Sequence, residues 1–303
     1  MIPPRKGATI SYESSRSSSE SRFSSSNQDR TRRNFRKVSP HHWQKGTIKD
    51  PCAVRLRRVN REEFEARWAQ KARALQIDAN WIEPGLKLKN FKLFATDMDS
   101  TFLNLETLDE MASFVGKGEE VAHITELAMQ GKIRNYAESL TARVKLMAGA
   151  DASIVDRLID RHIKPNPGAE KLVAAFKEAG IPMLLVSGGF SCVTEVVKER
   201  YGFTHVISNE LEIVDGKLTG RVTGPFGTPI IDGRGKISYV SAYALQHGIE
   251  LSELITMGDG SNDIPMLEAA GLSIAWHAKP KVRPHAKQAF DFAPLSGVLA
   301  LFD

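Results

Sequence analysis

Phe91-Lys92-Leu93-Phe94-Ala95-Thr96-Asp97-Met98-Asp99-Ser100-Thr101 is the stretch on which the reading of this chain turns. Its first part, Phe91–Thr96, is a short apolar run that predicts a buried strand. Its second part sets two carboxylates two residues apart just past the end of that strand. Carboxylates leaving a buried strand together are costly unless a cation neutralises them. Magnesium suits such a place, because it takes oxygen ligands and keeps several waters. A helix cap built from Asp and Ser is the alternative for so short a motif.

The same pattern recurs toward the C-terminus. Pro182–Val186 predicts a strand ending at Ser187-Gly188-Gly189, and Leu254–Met257 one ending at Gly258-Asp259-Gly260. His205–Ser208 and Leu272–Ala275 read as further strands. Helical stretches fall near 168–179, 190–201, 236–248 and 263–270. Alternating strands and helices imply an α/β fold, a Rossmann-like parallel sheet with helices on both faces. Such sheets bind ligands beyond the carboxyl ends of their strands. Asp259, at one such end, is a third carboxylate for a cation.

The interval 107–165 breaks the alternation. Leu108, Met111, Ala112 and Val115 follow the spacing of an amphipathic helix, and the whole interval reads as a small helical cap inserted after the first strand. A hairpin is expected at Leu211–Val222, turning at Asp215-Gly216. The predicted organisation is therefore a disordered basic Ser/Arg-rich tail at 1–45, a helical lead-in at 46–90, a core from 91–106 and 166–303, and the cap at 107–165. In the lead-in, Phe64, Trp68, Ala72 and Leu75 share one helix face.

Charge is unevenly placed. Residues 1–60 hold fourteen Lys/Arg against four Asp/Glu, a net of +10, whereas the whole chain carries +5. The remainder is thus mildly acidic, and no nucleic-acid partner is expected for the core. The tail is read as a solvated extension, with an RNA or membrane-surface tether and a transit peptide as alternatives. No apolar stretch is long enough for a membrane span. Two cysteines, Cys52 and Cys192, make no disulfide framework, and with no secretory signal a cytoplasmic location is expected.

Four ordered segments carry a resemblance. They are Phe94-Ala95-Thr96-Asp97-Met98-Asp99-Ser100-Thr101, Val186-Ser187-Gly188-Gly189-Phe190, Lys236, and Gly258-Asp259-Gly260-Ser261-Asn262-Asp263. In this order they resemble the motifs of the haloacid-dehalogenase-like phosphatases. Asn104-Leu105-Glu106-Thr107-Leu108-Asp109-Glu110, Asn135-Tyr136-Ala137-Glu138-Ser139-Leu140 with Arg143, and Ala275-Trp276-His277-Ala278-Lys279-Pro280-Lys281 are similar to the branch that hydrolyses free phosphoserine in serine biosynthesis. The resemblance runs from about residue 90 to the C-terminus and leaves the first ninety residues uncovered.

The resemblance implies a magnesium-dependent enzyme working through an aspartyl phosphate. Asp97 is the expected nucleophile and a metal ligand, with the Asp99 backbone carbonyl and Asp259 completing the protein ligands. Asp99 is the expected general acid and then base. Ser187, the Gly188 amide, Lys236 and Asn262 are expected at the phosphate, and Asp263 behind the metal. Glu106 suits a substrate ammonium and Arg143 a carboxylate, which a guanidinium grips through two parallel bonds. Tyr136, two helical turns before Arg143, would cover the substrate where related phosphatases usually have Phe. Alternatives stay open for several of these. Ser187-Gly188-Gly189 could be a plain turn, Arg234 could replace Lys236, Asn262 and Asp263 could be caps, and Glu106 or Arg143 could form surface ion pairs. A phosphotransferase that passes the phosphoryl group to an alcohol such as homoserine would use the same loops. His162 and His277 read as ordinary hydrogen-bonding residues, Cys192 as a core thiol, and Asp109 and Glu110 as solvated charges.

Overall fold

Leu93–Thr96 (β4) has no polar side chain before Thr96 and is buried along its full length, as expected for a strand covered on both faces. It lies at the middle of a seven-stranded sheet in the computed structural model, which describes residues 7–11, 53–57, 60–129, 132–133 and 135–303. Three earlier strands, β1 (Gly7–Ser11), β2 (Ala53–Arg57) and β3 (Asp78–Ile82), form a separate antiparallel sheet in the order β2-β1-β3. The main sheet continues with β5 (Met183–Phe190), β6 (His205–Val214), β7 (Lys217–Thr223), β8 (Leu254–Gly258), β9 (Leu272–Trp276) and β10 (Gln288–Phe290). Its order is β10-β9-β8-β4-β5-β6-β7, parallel throughout except for β7.

Alternation along β4 and β5 supplies both faces. Phe94 and Leu185 join one cluster with the helices Ala169–Glu178 and Ser191–Tyr201, where Phe94 stacks on Phe176 at 4.5 Å. Leu93, Ala95, Leu184 and Val186 face the other way, onto Val240 and Ala244 of the helix Gly233–Gln246. At about 25 cal/mol per Å² of apolar surface removed from water, this two-sided burial is what holds a strand carrying acids at its tip.

Between β4 and the core helix Ala169–Glu178 lie the helices Thr107–Phe114, Gly118–Met129, Tyr136–Lys145 and Ser153–Arg161. A bridge between Leu103 and Pro165, reinforced by Asn166 Nδ2 on the Thr101 and Leu103 carbonyls, closes the base of this cap. The β6–β7 hairpin turns at Asp215 and Gly216, both with positive φ, the geometry of a type I′ turn. Its second strand supports the cap. Gly220, at φ +82°, packs where a Cβ would meet Ala148 Cβ at 2.8 Å.

The lead-in differs from its expected form. Among the described residues its main helical stretch runs from Arg61 to Ala74, through Arg61–Glu63, a π-helical Phe64–Ala69 and Gln70–Ala74, with a short 3-10 turn at Leu88–Asn90. Phe64, Trp68 and Ala72 are buried on one face as expected, and Leu75 packs beside them. The chain then reverses at Gln76, φ +57°, into β3. That strand escaped sequence reading because two of its three inward residues are polar: Asp78, Asn80 and Ile82 are the buried ones. Asn80 Oδ1 accepts from the Ala289 amide, and Asp78 accepts from the amides of Asp291, Phe292 and Ala293 at 2.7–3.1 Å. Side chains thus pin β3 to the chain around β10. Burial raises Asp78 above the usual carboxylate range, against those three donors. Within the stretch read as a tail, Gly7–Ser11 is a strand; the rest of 1–45, including the expected tether or transit peptide, lies outside the described residues.

Asp78→Ala is expected to leave three amides without an acceptor and to lower stability by about 2–3 kcal/mol. Denaturant unfolding checks this, and the cavity at the strand ends should be unaffected.

Candidate active site

Three adjacent strands, β5, β4 and β8, end on one side of the sheet. There they deliver Ser187 with Gly188, Asp97 with Asp99, and Asp259. A cavity of about 620 Å³ opens above them, lined also by Glu106 and by Tyr136 and Arg143 of the cap. Every residue expected at the site from the sequence lines this cavity or touches a residue that does.

Lys236 lies at the bottom. It is fully buried, and its Nζ sits 2.8 Å from Asp97 Oδ1 and 2.7 Å from Asp263 Oδ1. Its competitor Arg234 is exposed at the cavity wall. Burial favours a neutral amine, but Asp263 and Asp97 outweigh it and raise the lysine above its ordinary value. Asp263 offers its second oxygen to the Gly260 amide at 2.8 Å, so both its oxygens are engaged. A Cβ on Gly258 would overlap the Asp263 carboxylate, which explains a glycine at the end of β8.

Asp97 turns out of β4 with its Oδ1 accepting from the Met98 amide at 2.7 Å. Asp97, Asp259 and Asp263 are all buried and bring carboxylate oxygens within 4.8 Å of one another. Burial first, and then Asp263, hold Asp97 well above the usual range against the opposing pull of Lys236. Burial and Asp263 likewise push Asp259 up to about 6, although Thr101 Oγ1 donates to it at 2.8 Å. Hard oxygen donors in a buried cluster of excess negative charge fit a divalent cation.

Asp99 points away from that cluster, toward the cap. Its oxygens accept from the Thr107 amide and hydroxyl at 3.2 and 3.1 Å. Burial, then the charge of Glu106, raise it to about 8 against these two donors. The reversal between Asp97 and the cap runs through Ser100, at φ +54°, whose hydroxyl donates to Glu106 at 2.7 Å. Tyr136 donates its hydroxyl to the Gly188 carbonyl at 3.2 Å and covers the loop. A Cβ on Gly188 would collide with that hydroxyl. Asn262 lines the wall beside Asp259.

Several residues here lie beyond the sequence reading. Thr101 and Asn209 act through hydrogen bonds to distant segments, which leave no local signal, and Thr107 through bonds to Asp99 eight residues before it. Lys279 and Lys281 line the cavity too. Asp109, expected as a solvated charge, also lines it; burial raises its carboxyl while Arg143 and Lys279 oppose. Glu110 instead faces His162 Nδ1 at 3.4 Å, and that ring packs edge-on against Phe114. His277, at φ +43°, sets its ring 4.6 Å from that of Trp276, and its amide donates to the Phe290 carbonyl. Burial pushes the Cys192 thiol up to about 11, as for an inert core thiol.

Lys236→Met removes the one cation between two buried carboxylates. The protein is expected to lose about 3–5 kcal/mol of stability in denaturant melts, with part of the loss recovered by a divalent cation.

Comparison with known proteins gives the family. Residues 94–268 match the model of the haloacid dehalogenase-like hydrolases. The chain is 46% identical over 223 residues to a phosphoserine phosphatase of Polaromonas sp. (strain JS666 / ATCC BAA-500), covering 73% of this chain and 94% of that one. Among solved structures, it is similar to the HAD family hydrolase t0658 of Salmonella enterica subsp. enterica serovar Typhi, with a TM-score of 0.81 at 25% identity over 99% of this chain and 98% of that one. The probable phosphoserine phosphatase of Vibrio cholerae gives a TM-score of 0.71 at 34% identity, over 82% and 75%. No helix among the described residues is long and apolar enough to cross a membrane. With buried acids gathered at neighbouring strand ends around a buried lysine from the helix Gly233–Gln246, and with the family model spanning all of them, this chain belongs to the haloacid dehalogenase-like hydrolases and is an enzyme.

Proposed function

We propose that the enzyme hydrolyses O-phospho-L-serine to L-serine and phosphate through an aspartyl phosphate on Asp97, with magnesium as cofactor. The observation that carries the reading is one cavity in which Asp97, Asp99 and Asp259, with Lys236 buried behind Asp97, face Glu106 and the cap residue Arg143. Relatives named phosphoserine phosphatase support the substrate.

Asp97, Asp259 and the Asp99 backbone carbonyl would hold the cation, with Asp263 supporting them from behind because Lys236 and the Gly260 amide engage both its oxygens. Magnesium there supplies neutralisation of the phosphoryl oxygens. The carboxylate of Asp97 attacks phosphorus while the bond from phosphorus to the seryl oxygen breaks. Asp99 gives that oxygen its proton, and later takes one from the water that attacks the aspartyl phosphate and releases phosphate. Lys236, Ser187, the Gly188 amide and Asn262 bind the phosphoryl oxygens. Glu106 takes the ammonium and Arg143 the carboxylate, while Tyr136 excludes water. In this reading residues 107–165 act as one cap over the core.

Phosphate release from L-phosphoserine is expected to require magnesium and to disappear in Asp97→Asn. In a panel of phosphate monoesters, Arg143→Ala should lose activity selectively on esters that carry a carboxylate; a uniform loss would count against the pocket assignment. Product analysis with added homoserine should give free phosphate, not a phosphorylated alcohol.

A further inference from the structure

The loop read above as the phosphate site has a structural peculiarity. β5 pairs with β6 at Val186↔Ile207 and again at Phe190↔Asn209. Between these pairs Ser187, Gly188 and Gly189 stand against Ser208 alone, so two surplus residues are pushed out of the ladder. A bulge of this kind leaves peptide groups without ladder partners, and buried ones must find others.

One side chain supplies them. Asn209 is fully buried. Its Nδ2 donates to the Gly188 carbonyl at 2.8 Å, and its Oδ1 accepts from the Ile231 amide at 2.8 Å. The two partners fix the amide's orientation, since a flip would set donor against donor and acceptor against acceptor. The other side of the Gly188–Gly189 peptide is held as well, because the Gly189 amide donates to Ser187 Oγ at 2.8 Å. That bond uses the serine oxygen as an acceptor and leaves its hydroxyl hydrogen to donate toward the cavity.

Ile231 is not an arbitrary second partner. Asp232, the next residue, caps the helix Gly233–Gln246 by accepting from the Gly235 amide at 2.8 Å, and Lys236 lies in that helix's first turn. Asn209 therefore ties the bulged loop to the start of the helix that carries the buried lysine. These are the two protein elements that would face a phosphoryl group from different sides.

We infer that Asn209 is a positioning residue that holds the Ser187-Gly188-Gly189 loop and the Lys236 helix at the spacing a phosphoryl group requires. The inference rests on the reading of that loop as the phosphate site. Asn209→Asp keeps the side chain's size and its acceptor for Ile231 but removes the donor to Gly188. Titration of the full chain with inorganic phosphate in the presence of magnesium is expected to give about tenfold weaker binding than wild type. Binding of L-serine, which the cap residues would govern, should change little. Thr194→Val is the comparison for general core damage, since its buried hydroxyl pairs with Ser208 at 2.8 Å, away from the loop carbonyl. It should lower the melting temperature and keep phosphate affinity.

Wild-type phosphate affinity in Asn209→Asp, or an equal loss in Thr194→Val, would overturn the inference. If Asn209→Asp does not fold, Asn209→Ser is judged by the same two affinities. Absence of phosphate binding in the wild type would overturn both the loop reading and this inference. A wild type that binds phosphate but leaves phosphoserine intact would sink the substrate reading alone, because the phosphate comparison does not depend on the ester.

Discussion

The contact on which the rest depends is the buried Lys236 ammonium between Asp97 and Asp263. Fully ionised, Asp97, Asp259 and Asp263 with one lysine leave two negative charges, the number a divalent cation cancels. Burial and the repulsion of neighbouring carboxylates raise both Asp97 and Asp259. Charge this dense survives only where the scaffold is stiff and its polar groups are all matched. The glycines at 258 and 188 and the hydroxyl of Thr101 answer that demand, the first two by making room and the third by bonding Asp259.

The sheet order explains why the groups meet. β4 is central, the chain goes to β5 on one side, and it returns much later to β8 on the other. A crevice forms where the winding direction changes, and this is where open α/β sheets bind ligands. Asp97, Ser187 and Asp259 belong to strands separated by long intervals of sequence and yet are next-door neighbours. The apolar faces of β4 and β5, packed on opposite sets of helices, let the strand tips be as polar as the chemistry requires.

Much of this was legible in the sequence because it depends on local rules. Apolar runs ending in acids or glycines marked β4, β5 and β8, and Asp215-Gly216 marked the hairpin turn. Most of what escaped depends on contacts that only the folded chain brings together. β3 buries Asp78 and Asn80, so its inward face reads as polar; only the amides around residues 289–293 make that burial acceptable. β10 has three residues, too few for a pattern. Lys236 was legible only through the family resemblance, since the acids that justify its burial come from two other loops. Thr107 looked like any residue near a helix start until Asp99 was seen to accept from both its amide and its hydroxyl.

That last pair bears on how selection and chemistry are joined. Thr107 begins the first helix of the cap, and Glu106 just before it holds the Ser100 hydroxyl of the loop that follows Asp97. The proposed acid–base residue is therefore oriented by the cap, not by the core strand that precedes it. On the opposite side Tyr136 reaches from the cap to the Gly188 carbonyl, which Asn209 also holds from within the core. Opening the cap at Thr107 would loosen Asp99, and opening it at Tyr136 would uncover the phosphate loop. Under the proposed function, a substrate that satisfies Glu106 and Arg143 would keep the cap closed and, through Thr107, keep Asp99 aimed. One that cannot satisfy them would leave the proposed proton donor without its fixed direction, so discrimination would enter the chemical step as well as binding.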